Sequence, residues 1–132
     1  MDPPDSFGDA LALANVPVRF AVEMATLLAV GASSFRLAPG PWSGAFMAVL
    51  APFALSLAWG RWVSPKASGR LGGASRMAAE GLVFAAGPVG LALAGWPVPS
   101  VALGTVAALS LGITWTLGDP MDRTRPESSG DA

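Results

Sequence analysis

The chain has 132 residues, of which 52% are hydrophobic and 13% are charged, and its net charge is −1 at pH 7. Soluble domains average about 25% charged residues, so the natural solvent of this chain is a lipid bilayer. Cysteine, histidine and tyrosine are absent. This removes the thiolate metal ligand, the cysteine nucleophile and the commonest general base. We therefore expect no enzyme, no catalytic residue, no metal, no cofactor and no nucleic-acid partner.

The N-terminal residues 1–15 open with MDPPDSFGD and lack a basic stretch before an apolar core, so they predict a disordered tail and not a cleavable signal peptide. Four apolar segments follow, each close to the ~20 residues that cross ~30 Å of hydrocarbon. They predict an all-α, membrane-spanning four-helix bundle, with helices at about 16–35, 43–63, 77–95 and 99–117. The Pro- and Gly-rich connections imply antiparallel neighbours. Residues 118–132 predict a second disordered tail.

The basic residues predict the orientation of the bundle. Seven of the eight Lys and Arg residues fall on the side that holds the connection between segments two and three, and Arg36 alone falls on the opposite side. Cytoplasmic loops retain Lys and Arg, so both termini are expected in the cytoplasm. The five tryptophans fall near segment ends, as interfacial anchors do.

Two halves of the chain resemble each other. Arg19 and Glu23 open the first segment, and Arg76 and Glu80 open the third with the same spacing, 57 residues later. The second and fourth segments share Ala-Leu-Ser-Leu followed by a tryptophan near the inner end, at an offset of 54 residues. These offsets predict a duplicated helical hairpin whose halves are parallel, related by an axis along the membrane normal.

Arg19, Glu23, Arg76 and Glu80 are the candidate functional site, because an ionised side chain in hydrocarbon costs roughly 2.5 to 3.5 kcal/mol. Residues four apart share a helix face, so each Arg can bond its own Glu. Alternatively, Arg19 reaches Glu80 while Arg76 reaches Glu23. In one interpretation the charges lock the helices in register. In the other, Glu23 and Glu80 bind a cation or proton, although the nearby arginines that neutralise them suit a lock better.

Small residues and prolines shape the predicted helices. All four segments carry small residues at every fourth position, which lets helix backbones approach closely within the bundle or across a dimer face. Pro52 and Pro88 lie near the middles of the second and third segments and are expected to kink them.

Three short motifs resemble the YrdB-like family of small bacterial membrane proteins of unknown function. In that family R-F-x-x-E opens the first helix, W-G-x-F-x-(S/A)-P-K-A closes the second, and E-x-x-V-F begins the third. The matching residues are Arg19, Phe20, Glu23; Trp59, Gly60, Ser64, Pro65, Lys66, Ala67; and Glu80, Val83, Phe84. The resemblance covers about residues 15–118, with Trp62 where phenylalanine is more usual. It implies four helices, a bacterial cytoplasmic (inner) membrane and no assigned chemistry.

Two function classes remain open. The first is a non-enzymatic structural or accessory membrane protein, working as a homo-oligomer or as a subunit of a larger complex in the lipid bilayer. The second is a small transporter or channel for a cation or a proton-coupled substrate, with Glu23 and Glu80 on its path. An enzyme acting on lipid has only the carboxylates and the basic residues Arg61, Lys66 and Arg70 in its favour.

Overall fold

The computed structural model describes residues 6–64 and 72–118, and these residues form helices with no strand. The four long helices are α1 (Phe7–Leu37), α2 (Pro41–Ala58), α3 (Gly73–Leu93) and α4 (Pro97–Leu117). A π-helical turn, Trp59–Val63, continues α2, and Ser64 N donates to the carbonyl of Trp59 at 2.8 Å. With this turn included, all four helices are long and apolar enough to span a membrane. The all-α, four-helix fold is confirmed.

Helix α1 begins well before the predicted start at residue 16. Residues 7–15, which the sequence pattern places in a tail, are helical. Ser6 caps this helix, because its Oγ accepts a hydrogen bond from the backbone N of Asp9 at 3.2 Å. The carboxylate of Asp9 also lies near the positive end of the helix dipole. The predicted tail over 1–15 is therefore too long, while residues 1–5 and 119–132 lie outside the described residues.

The other boundaries differ from the prediction by only a few residues. Helices α2 and α4 begin at prolines, Pro41 and Pro97, whose fixed φ angle suits the first turn of a helix. The chain reverses between α3 and α4 at Gly95, which has a φ of +83° that glycine adopts readily.

Helix α1 is central and packs against each of the other three helices, while α3 also packs against α4 and the π-turn. Glycines allow these close approaches. A Cβ atom on Gly31 would lie 2.9 Å from the carbonyl oxygen of Ala48 in α2, and one on Gly87 would lie 3.2 Å from the Cα of Thr26 in α1. In lipid no hydrophobic effect drives helices together, so the close packing that small residues permit holds them instead.

The buried apolar core joins three helices. Its members come from α1, α3 and α4: Val22, Phe84, Ala107 and Leu111. Trp59 of the π-turn and Leu103 of α4 pack against this core. Because α2 adds no residue to this core, the α1–α2 hairpin contributes one helix to it and the α3–α4 hairpin contributes two. The internal repeat stays a prediction.

The two prolines predicted to kink helices lie inside α2 and α3. Near each of them a serine hydroxyl donates to the proline's own carbonyl oxygen: Ser56 to Pro52 at 2.8 Å, and Ser100 of α4 to Pro88 at 2.7 Å. The bond from Ser100 ties α4 to α3 at this level. The kinks themselves stay predictions.

Candidate functional site

The four charged residues singled out in the sequence lie together near one end of the bundle, and we call them the charge cluster: Arg19, Glu23, Arg76 and Glu80. α1 carries the first pair and α3 the second. At 1.5 Å per residue, Glu80 lies about 10 Å along α3 from its start at Gly73. The formal charges of the cluster balance, so the bilayer meets a neutral network.

Glu80 is the centre of the cluster. The residue is 1% exposed, and its Oε1 accepts hydrogen bonds from Arg19 Nη2 at 2.9 Å and Arg76 Nε at 3.2 Å. Its Oε2 accepts a hydrogen bond from the indole Nε1 of Trp115 at 2.9 Å. These donors stand on α1, α3 and α4, so one buried carboxylate joins three helices. Charge-assisted hydrogen bonds of this length are among the stronger ones in proteins.

Glu23 is in a different environment. Its Oε1 lies 3.5 Å from Arg19 Nε, and its side chain is 25% exposed, against 2% for Glu80. Of the two arrangements that the sequence left open, Arg19 makes the cross-helix pair with Glu80 as well as the pair with its own Glu23. Arg76 donates to Glu80 on its own helix. The two Arg-Glu pairs of the repeat are therefore not equivalent.

The guanidinium of Arg19 also lies over two neighbouring aromatic rings. Its Cζ is 5.7 Å from the ring centroid of Trp59 and 5.8 Å from that of Phe84. The two rings meet edge-to-face, with centroids 5.4 Å apart. A guanidinium within about 6 Å of a ring face gains cation–π attraction. Through Arg19 the π-turn after α2 is connected to the charge cluster.

Of the two residues of the predicted inner-loop motif that the structure describes, Trp59 contacts the cluster through Arg19. Gly60 is exposed, and a Cβ there would meet nothing within 4 Å. Pro65 and Lys66 lie outside the described residues.

A buried asparagine adds a polar contact one turn before Arg19. Asn15 is 6% exposed, and its Nδ2 donates to the carbonyl oxygen of Ser110 and to Thr114 Oγ1, each at 3.0 Å. The sequence pattern misses it because it lies within the predicted tail. Its signal is the spacing of Asn15, Arg19 and Glu23, which are four residues apart and share one face of α1.

The site offers hydrogen-bonding groups and balanced formal charge. Among the described residues no group of three or more His, Cys, Asp or Glu could hold a metal ion. The carboxylate of Glu80 is engaged by donors on both oxygens, whereas that of Glu23 borders a cavity.

Four helices long and apolar enough to cross a membrane, three of them joined by a buried carboxylate, define a multi-pass α-helical membrane protein. The chain belongs to a family described as a protein of unknown function (DUF2568), whose sequence model matches residues 17–108. The matched residues include the charge cluster, and the family has no assigned activity. The YrdB-like name and the bacterial origin stay predictions. No curated protein and no solved structure matches the chain.

Proposed function

We propose that this protein is a non-enzymatic structural or accessory component of the membrane, acting as a homo-oligomer or as a subunit of a larger complex. The charge cluster locks α1, α3 and α4 in register. The observation that carries the proposal is the carboxylate of Glu80, which is 1% exposed and accepts hydrogen bonds on both oxygens from donors on three helices. A carboxylate that carries a proton or cation must exchange partners, and these donors are fixed on packed helices.

The exposed apolar face of α2 supports a role in association. In this fully described helix Gly44 is the one buried residue. Phe46, Val49, Phe53 and Leu57 are each more than half exposed. Lipid covers such a face in a single copy, and the helix of a partner covers it in an assembly. The proposed partners are therefore the lipid bilayer and either a second copy or another membrane subunit.

Transport is the second candidate, and Glu23 is the observation that favours it. Its carboxylate is a quarter exposed and borders a cavity between helices. A small transporter or channel for a cation or a proton-coupled substrate would use this residue together with Glu80. Glu80 argues against such a path, because its two oxygens are already engaged.

Glu23→Gln and Glu80→Gln in the full chain separate the two functions. Each variant is purified in mild detergent, where its assembly mass and free energy of unfolding are measured, and is then reconstituted in liposomes for cation and proton flux. A structural role predicts that Glu80→Gln loses stability or assembly, and that wild-type liposomes show no flux above empty ones. Thr105→Val is the matched control, because Thr105 is exposed and its hydroxyl donates to the carbonyl of Val101 on its own helix.

Two outcomes would overturn the proposal. If both glutamine variants insert and assemble normally and lose a flux that the wild type has, the protein is a transporter. If both variants keep normal stability, assembly and flux, neither candidate function stands.

We also propose that both termini are cytoplasmic and that the membrane is a bacterial inner membrane. The distribution of Lys and Arg supports this orientation. Because the chain has no cysteine, single introduced cysteines report sidedness directly. Ser43→Cys, near the start of α2, should react with an impermeant maleimide on intact cells, and Ser64→Cys, after the π-turn, only once the cells are opened. The reverse pattern would contradict the proposed orientation.

A further inference from the structure

We propose that the cavity beside Glu23 is a binding site for a small amphiphilic amine, a primary ammonium that carries one apolar group about the size of a benzene ring. We call it the Glu23 cavity, and its walls include Glu23, Thr26, Leu27, Leu55, Trp59 and Phe84. These residues come from α1, α2, the π-turn and α3. The site goes beyond the proposed structural role, which rests on Glu80.

The size and lining of the cavity fit the apolar group of such a ligand. Its volume is about 180 Å³. A protein cavity of about 150 Å³ lined by apolar side chains takes up benzene. The space therefore admits one ring or a short alkyl group. Trp59 and Phe84 offer ring contacts, and Leu27 and Leu55 supply aliphatic walls.

Glu23 supplies charge complementarity to the ammonium group. Its pair with Arg19 Nε, at 3.5 Å, is longer than the 2.7 to 2.9 Å typical of a strong charge-assisted hydrogen bond. The Nη2 atom of Arg19 is directed to Glu80 instead, at 2.9 Å. A carboxylate has about four lone-pair sites, so Glu23 keeps acceptor capacity for a cation at the cavity. Opposite charges attract more strongly there than in water.

Thr26 is the second polar group in the wall. It is 2% exposed, and none of the described residues bonds its hydroxyl oxygen. A buried hydroxyl without a hydrogen-bond partner is unfavourable, because nothing replaces the bonds it would make to water. Thr26 lies three residues after Glu23 on the same face of α1. An ammonium has three donors, so it can bond the carboxylate and also the hydroxyl, whose oxygen is buried in the wall, once the Thr26 side chain turns toward the ligand.

The same groups disfavour other ligands. An anion would be repelled by Glu23. A bare divalent cation such as Ca²⁺ takes six to eight oxygen ligands, and this largely apolar cavity offers one carboxylate and the hydroxyls of Thr26 and Ser56.

The experiment compares two ring compounds that differ in charge, using the full chain in nanodiscs. Fluorine NMR follows 4-fluorophenethylamine and 4-fluorophenethyl alcohol, with empty nanodiscs as the baseline for partitioning into lipid. We expect the amine to bind saturably and the alcohol to bind about tenfold more weakly. Glu23→Gln should remove this preference, Thr26→Val should weaken binding of the amine several-fold, and Thr105→Val should change neither.

The wild-type protein alone can overturn the proposal. Equal affinity for amine and alcohol, or an amine signal no larger than that of empty nanodiscs, would do so. A folded Glu23→Gln variant that keeps the preference would also do so. If Glu23→Gln does not insert, Val83→Phe serves instead, because Val83 lines the cavity and a larger side chain there should abolish binding of the amine. Unchanged binding in Val83→Phe would contradict the site.

Discussion

Glu80→Gln removes the charge at the centre of the cluster and keeps the size and shape of the side chain. The carboxylate takes Arg19 and Arg76 on Oε1 and the indole of Trp115 on Oε2. An amide offers one acceptor oxygen, and its nitrogen only donates. If the oxygen faces the arginines, the amide nitrogen faces the indole N–H, and in the reverse orientation it faces the guanidinium groups. Either way two donors oppose each other.

The expected loss in the free energy of unfolding follows from these contacts. A hydrogen bond to an ionised group contributes about 1.5 to 3 kcal/mol, and two such bonds from arginines lose their ionic partner. The side chains of Arg19 and Arg76 are 14% and 19% exposed, so water replaces little of what they lose. Unfolded chains in a membrane or detergent find other polar partners, which reduces the net effect. We expect the free energy of unfolding to fall by about 2 to 4 kcal/mol.

The assay is reversible unfolding in mixed micelles, with SDS as the denaturant and helix content as the readout. Glu23→Gln is the matched control, since it removes the same charge from a pair that is 3.5 Å long and partly exposed. We expect it to cost about 1 kcal/mol or less. If Glu80→Gln costs no more than Glu23→Gln, the reasoning that makes Glu80 the centre of the lock is wrong.

Two further predictions use the same titration. Gly31→Ala places a methyl group 2.9 Å from the carbonyl oxygen of Ala48 and should cost about 1 to 3 kcal/mol, whereas Gly112→Ala meets nothing within 4 Å and should leave stability unchanged or raise it by up to about 1 kcal/mol. Equal effects of the two changes would contradict the close approach of α1 and α2. Trp115→Phe removes the indole donor to Glu80 and should cost about 1 to 2 kcal/mol. A loss as large as that of Glu80→Gln would mean that the arginines contribute little.

The fold was largely predictable because a chain crossing hydrocarbon must bring about 20 apolar residues together. That constraint marks the helices through the membrane and says nothing of a helix that continues beyond it. The early start of α1 depends on Ser6 and Asp9, a capping pair that hydropathy does not detect. The π-turn at Trp59–Val63 was not predicted either, because its residues do not distinguish the wider turn from an α-helical one.

The candidate site was predictable in its charged residues and less so in their partners. Ionised side chains stand out within apolar segments, and one of the two arrangements that the sequence left open has Arg19 reaching Glu80. The contribution of Trp115 depends on how α4 is rotated about its axis, which the sequence does not determine. A tryptophan near a helix end reads equally well as an interfacial anchor. Thr26 was missed for a related reason. A threonine is common in an apolar helix, and only the structure shows that its hydroxyl is buried without a partner among the described residues.

The central claim, that Glu80 locks the helices together through Arg19, is tested most directly by a double-mutant cycle between these two residues. The free energy of unfolding is measured for the wild type, Arg19→Gln, Glu80→Gln and the double variant, in the same mixed micelles. A lock predicts a coupling energy of about 1 to 2 kcal/mol, because either single change removes the ion pair whose atoms lie 2.9 Å apart. A coupling energy within about 0.3 kcal/mol of zero would contradict it.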